Sequence, residues 1–263
     1  MSATRTTQDP PATLRPDSSA PQASTSDGDA PIRILGTEQE YKWRIEASDL
    51  FGTSEPDLDA LEQALPWPEE ARLENRFRHR QSTIYFDDDW RLVEDHVTLR
   101  ATVNPGSASE VAWIGVKQTI AWEDGCRDSL EVSERIAPLG ISRELETQAS
   151  LPLRYVSRLI RRPIRPVQYA CAIQTRYKLF FRTRNDAQLQ LTFDAAEFRP
   201  LAGEGGGSVP ASWLEIENNN RDLRARRELE AWAADISTAL GRRPSDQGKA
   251  EFAARLLGWE PGR

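Results

Sequence analysis

The stretch Glu38-Gln39-Glu40-Tyr41-Lys42-Trp43-Arg44 is the one whose reading decides the fold. Successive side chains on a strand face opposite ways, so as a strand it sorts into two unlike faces. Glu38, Glu40, Lys42 and Arg44 share one face, and Gln39, Tyr41, Trp43 and Ile45 share the other. A half-buried strand ordinarily sets its apolar face on a core and its charged face in water, which would make this a solvated edge strand. Mixed signs at every second position suggest more. Paired carboxylates hold a divalent cation through hard oxygen ligands, and cations one step along take the charge of a phosphate. Alternating charge in one short stretch is common, so the other strands must decide.

Working outward, the period of two returns again and again. Thr83, Tyr85 and Asp87 alternate with Ile84 and Phe86. Val97, Leu99, Ala101 and Val103 alternate with Thr98, Arg100 and Thr102. Ile114, Val116 and Ile120 oppose Gly115, Lys117 and Thr119. After the turn Glu123-Asp124-Gly125, Arg127, Ser129, Glu131 and Ser133 oppose Asp128, Leu130 and Val132. Gln174, Arg176 and Lys178 oppose Ile173, Tyr177 and Leu179. Gln188, Gln190, Thr192 and Asp194 oppose Leu189, Leu191 and Phe193, and Trp213-Leu214-Glu215-Ile216-Glu217 closes the series. Eight such strands can close into an antiparallel barrel without edges, just wide enough for a small ligand.

Between the strands lie helical intervals. Ser54-Glu55-Pro56-Asp57 carries helix-start chemistry ahead of Leu58, Leu61 and Leu65, and Pro66-Trp67-Pro68 stops the element. The charged run from Glu69 to Arg80 extends this helical region with a solvated face. Residues 142–161 read as a helix closed by Pro163 and Pro166. Two more, 222–240 and 245–257, end the chain. Their apolar stripes fit equally a layer under an ordinary half-wet sheet and a coat around a barrel with a charged interior. Gly203 to Ser208 reads as a loop without a following helix, so its glycines form no phosphate-binding turn.

With 263 residues and 38% hydrophobic content, the chain is long enough to bury a sizeable core. Residues 1–30 are Ser, Thr, Ala, Pro, Gln and Asp with almost no large apolar side chains, the composition of a disordered tail, which leaves one domain over 31–263. A net charge of −7 argues against a partner bound by blanket phosphate neutralisation, so no duplex nucleic acid is expected, yet a local basic cavity remains open. Cys126 and Cys171 form no CxxC pair and no disulfide framework. No apolar run reaches the length of a membrane span and no signal-peptide segment leads the chain, so the expectation is a soluble, cytoplasmic protein.

The order of these motifs resembles the CYTH superfamily, the triphosphate tunnel metalloenzymes: an ExExK strand, Tyr85-Phe86-Asp87, Leu99-Arg100, Lys117, Arg127 with Glu131, Arg176, Phe193-Asp194 and a closing Glu215-Ile216-Glu217. The resemblance runs from Ile32 to Leu257. It implies an α+β fold, a closed eight-stranded antiparallel β tunnel with a polar lumen, covered outside by helices. It also implies a small anionic triphosphate as substrate and Mg²⁺ or Mn²⁺ as cofactor. Carried over position by position, Glu38, Glu40, Asp194, Glu215 and Glu217 match the metal carboxylates, with Asp194 either a further ligand or an orienting group. Lys42, Arg44, Arg100, Lys117, Arg127, Arg176 and Lys178 match the phosphate cradle. Glu131, Glu215, Glu217 and Lys42 form the catalytic set, in which any of the three glutamates can assist the attacking water.

Departures from the family pattern keep alternatives in view. Leu99-Arg100-Ala101-Thr102 stands where Leu-Arg-x-Arg is common, and Ser133 and Gln174 occupy positions that are often charged. A thinner cradle suits a non-catalytic binder of polyphosphate or phosphoryl ligands. Class IV-type cyclase chemistry lacks its His-Phe pair, because Arg33-Ile34-Leu35-Gly36 fills that stretch. Terminal phosphate hydrolysis is the leading expectation. His79 and His96, without partners at metal spacing, read as surface histidines. The arginines of 154–165 read as a solvated face, and Trp43, Trp90 and Trp113 as core filling. Lys249 either closes over the lumen or is exposed, with exposure the favoured reading.

Overall fold

Each period-two stretch is a strand in the computed structural model, which describes residues 33–53, 56–104, 111–201, 207–219 and 224–261. In chain order these are β1 (Arg33–Arg44), β2 (Arg72–Asp87), β3 (Val97–Asn104), β4 (Val111–Glu123), β5 (Cys126–Ile136), β6 (Val167–Arg182), β7 (Gln188–Pro200) and β8 (Val209–Asn219). Every neighbouring pair is antiparallel. Around the ring the order is β1-β5-β4-β3-β2-β6-β7-β8, and β8 pairs back onto β1. Closure gives each strand two partners and removes the exposed edge. The β4–β5 turn uses Asp124 and Gly125, both at positive φ (51° and 81°), which matches the right-handed twist of the flanking strands.

The helices are α1 (Ala47–Phe51), α2 (Leu58–Ala64), α3 (Arg91–Glu94), α4 (Ile141–Thr147), α5 (Leu151–Leu159), α6 (Arg226–Leu240) and α7 (Lys249–Arg255), so the class is α+β as expected. None is long and apolar enough to cross a membrane among the described residues. The predicted tail over 1–30, the Ser54-Glu55 helix start, Asp222 and residues 203–206 of the glycine loop lie outside the described residues. Asp57 caps α2, its carboxylate accepting from the Ala60 amide at 2.6 Å. The helix expected over 142–161 is two, separated at Gln148, whose backbone turns left-handed (φ 53°).

One expectation is overturned. Residues 72–80 belong to β2, not to a helix. Their charge suggested a wet helical face, but Phe77, His79 and Gln81 alternate with Arg76, Arg78 and Arg80. The whole segment pairs with β6, from Arg72 opposite Arg182 to Arg80 opposite Thr175. Backbone pairing along a long antiparallel ladder with a strand distant in sequence decides the outcome, and the charges stay hydrated on the outer face.

Apolar faces point outward, under the helices. Trp43, Phe181, Phe193 and Ile216 of the wall pack with Leu61 of α2 and with Leu229, Trp232 and Ile236 of α6. On the opposite wall, Leu99, Ile114 and Val116 meet Leu153 and Val156 of α5. Each such large side chain contributes about 1.5–3 kcal/mol by leaving water. Inside, polar faces converge along the middle of the barrel, and at one end apolar side chains replace them. There Ala172, Phe198, Ala211 and Trp213 turn inward and pack on Phe252, Ala253 and Ala254 of α7. The lumen is therefore polar along most of its length and stoppered by an apolar plug where α7 docks.

Candidate functional site

Register explains why the charges meet. Cross-strand partners in an antiparallel sheet point to the same face. Glu40 lies opposite Glu217 and Lys42 opposite Glu215 across β1 and β8. Lys117 lies opposite Glu131 across β4 and β5, and Arg176 opposite Asp194 across β6 and β7. All of these but the fully buried Glu40 and Asp194 line a cavity of about 200 Å³, together with Glu38, Arg100, Arg127, Lys178, Gln190 and, at the start of α7, Gly248 and Lys249. Gly115 stands between Arg100 and Ser133 in the wall, where an added Cβ would come within 2.8 Å of Ser133 Oγ.

The carboxylates are buried and their oxygens are shared among cations. Glu40 accepts from Lys42 Nζ at 2.9 Å and faces Lys117 Nζ at 2.9 Å through its other oxygen. Glu38 also pairs with Lys117. Glu215 Oε1 meets Lys249 at 2.9 Å and Lys42 at 3.2 Å, while its Oε2 meets Arg176 at 3.4 Å. Glu131 accepts from Arg100 at 3.1 Å, and Glu217 from the Gln190 amide at 2.7 Å. One oxygen each of Glu40, Glu215 and Glu217 falls within 4.8 Å of the others. Three buried hard-oxygen donors on two adjacent strands could hold a hard divalent cation.

These surroundings push the titrations apart. Burial pushes the Glu215 carboxyl up, but Lys249, Lys42 and Arg176 outweigh it and hold the group well below the carboxylate range. For Glu217 burial wins, helped by the charge of Glu215 and opposed by Lys178, so its carboxyl lies above the ordinary value. Glu131 is pushed up by burial and brought below the usual range by Arg100, Lys117 and Arg176. Burial lowers Lys117 and Lys178, whereas in Lys42 the carboxylates Glu215 and Glu40 overcome burial and raise it.

The structure brings together Glu38, Glu40, Glu131, Glu215, Glu217, Lys42, Arg100, Lys117, Arg127, Arg176 and Lys178 around one cavity. Arg44 does not join them. It is exposed at the end of β1 and lies over the Phe252 ring at 4.5 Å, because the apolar plug occupies the inner face at that level. Asp194 is fully buried with its oxygens taken by Arg176, at 2.6 and 3.0 Å, and by Lys249. Arg127 is partly committed, donating to the Asp246 carbonyl at 3.1 Å and lying over Trp122 at 4.3 Å.

Lys249 contradicts the favoured reading. It reaches into the lumen from α7 and pairs with Asp194 and Glu215. His79 is half-buried on the inner face rather than at the surface. Tyr85 and Gln190, which strand parity puts inward on β2 and β7 but which carry no expected site role, also line the cavity. Nothing in the helical pattern of α7 could have placed Lys249 inside the barrel.

No family model matches the sequence, and no curated protein matches it. Solved structures resemble the fold. A proposed adenylyl cyclase from Hippeastrum, described with a dominant triphosphatase activity, is 17% identical, with 86% of this chain and 98% of that chain covered at a TM-score of 0.48. A Pyrococcus horikoshii protein is 16% identical over 85% and 99%, with a TM-score of 0.45. A proposed adenylate cyclase from Vibrio parahaemolyticus is 14% identical over 84% and 98%, with a TM-score of 0.41.

Proposed function

We propose that the chain is a divalent-metal-dependent triphosphatase that removes the terminal phosphate of a small triphosphate inside the barrel. The observation that carries this reading is the convergence of the buried carboxylates Glu40, Glu215 and Glu217 within 4.8 Å, beside a lumen into which Lys42, Arg100, Lys117, Arg127, Arg176 and Lys178 also project. Water alone would not require such a set, since an exposed ion pair contributes at most about 1 kcal/mol.

Glu40, Glu215 and Glu217 would hold Mg²⁺ or Mn²⁺, and when bound such a cation neutralises phosphate charge and makes water more acidic. The remaining work belongs to the side chains. Arg100, Arg176 and Lys178 grip phosphate oxygens from one wall, and Lys42, Lys117 and Arg127 from the other. Phosphoryl transfer asks mainly for positioning and charge stabilisation, which this cradle supplies in a water-poor space. Asp194 holds the Arg176 guanidinium in a two-pronged grip and so aims it. Glu131, kept ionised by Arg100, and Glu217, whose carboxyl retains its proton to higher pH, are the two groups placed to take a proton from an attacking water.

The test is phosphate release from inorganic tripolyphosphate, ATP and thiamine triphosphate with Mg²⁺ or Mn²⁺. Glu215→Gln with Glu217→Gln should lower kcat by about a hundredfold or more, the scale on which transition-state charge stabilisation is lost, while circular dichroism stays native. Turnover near the wild-type level in that double variant contradicts the assignment. Tight ligand binding without release in any metal would instead identify a binding module.

A further inference from the structure

At the rim opposite α7 the lumen carries a feature that phosphate chemistry does not use. Phe77 on β2 lies opposite Lys178 on β6, and Phe180 on β6 lies opposite Gln190 on β7. Lys178 and Gln190 both line the cavity, so the two rings belong to the same inner face, Phe77 level with Lys178 and Phe180 one step nearer the mouth. Their centroids are 5.6 Å apart with an interplanar angle of 24°, a stacked pair, and Phe77 is 39% exposed. An apolar ring pair facing water beside buried charge costs free energy unless something flat covers it. His79 adjoins the pair, its ring 5.6 Å from Phe77, and its Nδ1 is buried with no hydrogen-bond partner among the described residues.

We propose that Phe77 and Phe180 form a stacking platform for the aromatic base of a nucleoside triphosphate, and that His79 Nδ1 meets the edge of that base. This rests on the reading that the lumen binds a triphosphate, and it names the substrate class within it. The spacing fits. Phe180 stands two residues past Lys178 and four past Arg176, roughly 7 and 13 Å along an extended strand. That gap is of the size a ribose and its phosphates span between a base and a terminal phosphate. Stacking tolerates any base, because every base offers a π-face, so the platform selects nucleotides over inorganic polyphosphate without dictating which nucleotide. With Nε2 facing the Gln81 amide oxygen at 3.3 Å and so carrying the proton, the neutral imidazole presents Nδ1 as an acceptor for an N–H on the base edge.

Calorimetry on the full chain, in EDTA to stop turnover, compares ATP with inorganic tripolyphosphate. Wild-type protein should bind ATP more tightly. In the Phe77→Ala, Phe180→Ala double variant the ATP-to-tripolyphosphate affinity ratio should fall by about tenfold to a hundredfold, the range that base–aromatic stacking supplies. Phe77→Trp should keep or raise the ratio. If the double variant loses its native circular dichroism, Phe77→Leu, which keeps apolar volume but removes the ring, carries the same measurement. An unchanged ratio, or wild-type preference for tripolyphosphate, overturns the platform and leaves the triphosphatase reading intact. ATP binding that depends on the rings, in a protein that releases no phosphate, supports the platform and sinks the hydrolase. Failure to bind either ligand, both in EDTA and with Ca²⁺ in place of Mg²⁺, overturns both.

Discussion

Glu215 and Glu217 stand two residues apart on β8, yet their carboxyls are driven in opposite directions because Lys249 and Lys42 reach only the first. The same electrostatics acts on His79. Burial first, then Arg176 and Lys178, holds its imidazole below the ordinary value. The unfolded chain thus binds this proton at higher pH than the folded one, so the stability linked to His79 is complete above about pH 6.5 and is lost as pH falls through the folded midpoint. An NMR titration should place that midpoint below 6.5 and move it upward when tripolyphosphate neutralises Arg176 and Lys178. A midpoint at or above the free-histidine value in unliganded protein contradicts the placement. At this scale most of the site was legible: Glu40, Lys117, Arg176 and Glu215 announced themselves by strand parity. Arg44 has the same parity and fails, because parity fixes a face but not how far along the barrel the polar zone extends.

The strands were legible as elements because their alternation is strict wherever one face meets helices and the other a charged interior. The first half of β2 was not, since Arg72 to Arg80 has outer-face charges that read equally well on a wet helix, and only its pairing with β6 settles it. Helix α7 was legible as a helix but not as a plug. An amphipathic stripe says which side is buried, never against what. Phe252 anchors α7, with its ring 5.1 Å from Phe198 and 5.4 Å from Trp213. Phe252→Ala should therefore cost about 3–5 kcal/mol, read from urea unfolding. Hydrogen exchange should show the loss concentrated in α7 amides, with the barrel strands still protected. A uniform loss across all strands would show that the plug is inseparable from the ring.

Over the whole molecule, a net charge of −7 surrounds an interior wall rich in lysine and arginine, so the sign that a ligand meets depends on where it stands. Without a ligand the lumenal cations are balanced only by buried carboxylates, and an anion of matching shape should stabilise the fold by mass action. At a hundred times its Kd, tripolyphosphate with Mg²⁺ should add about 2.7 kcal/mol, a rise in Tm of roughly 5–10 °C for a domain of this size. Equal ionic strength of sodium chloride should not reproduce it, and an unmoved Tm at millimolar ligand argues against an anion-binding lumen. Strand number and polar interior could be anticipated from the chain, but the ring order could not, because the closing contact joins its most distant strands. That seam, β1 against β8, bears on synthesis. The first glutamates leave the ribosome long before their partners on the last strand exist, and for that whole interval they meet neither Glu215 nor Glu217. A chain released before β8 is made would carry most of the wall and none of the assembled three-carboxylate cluster.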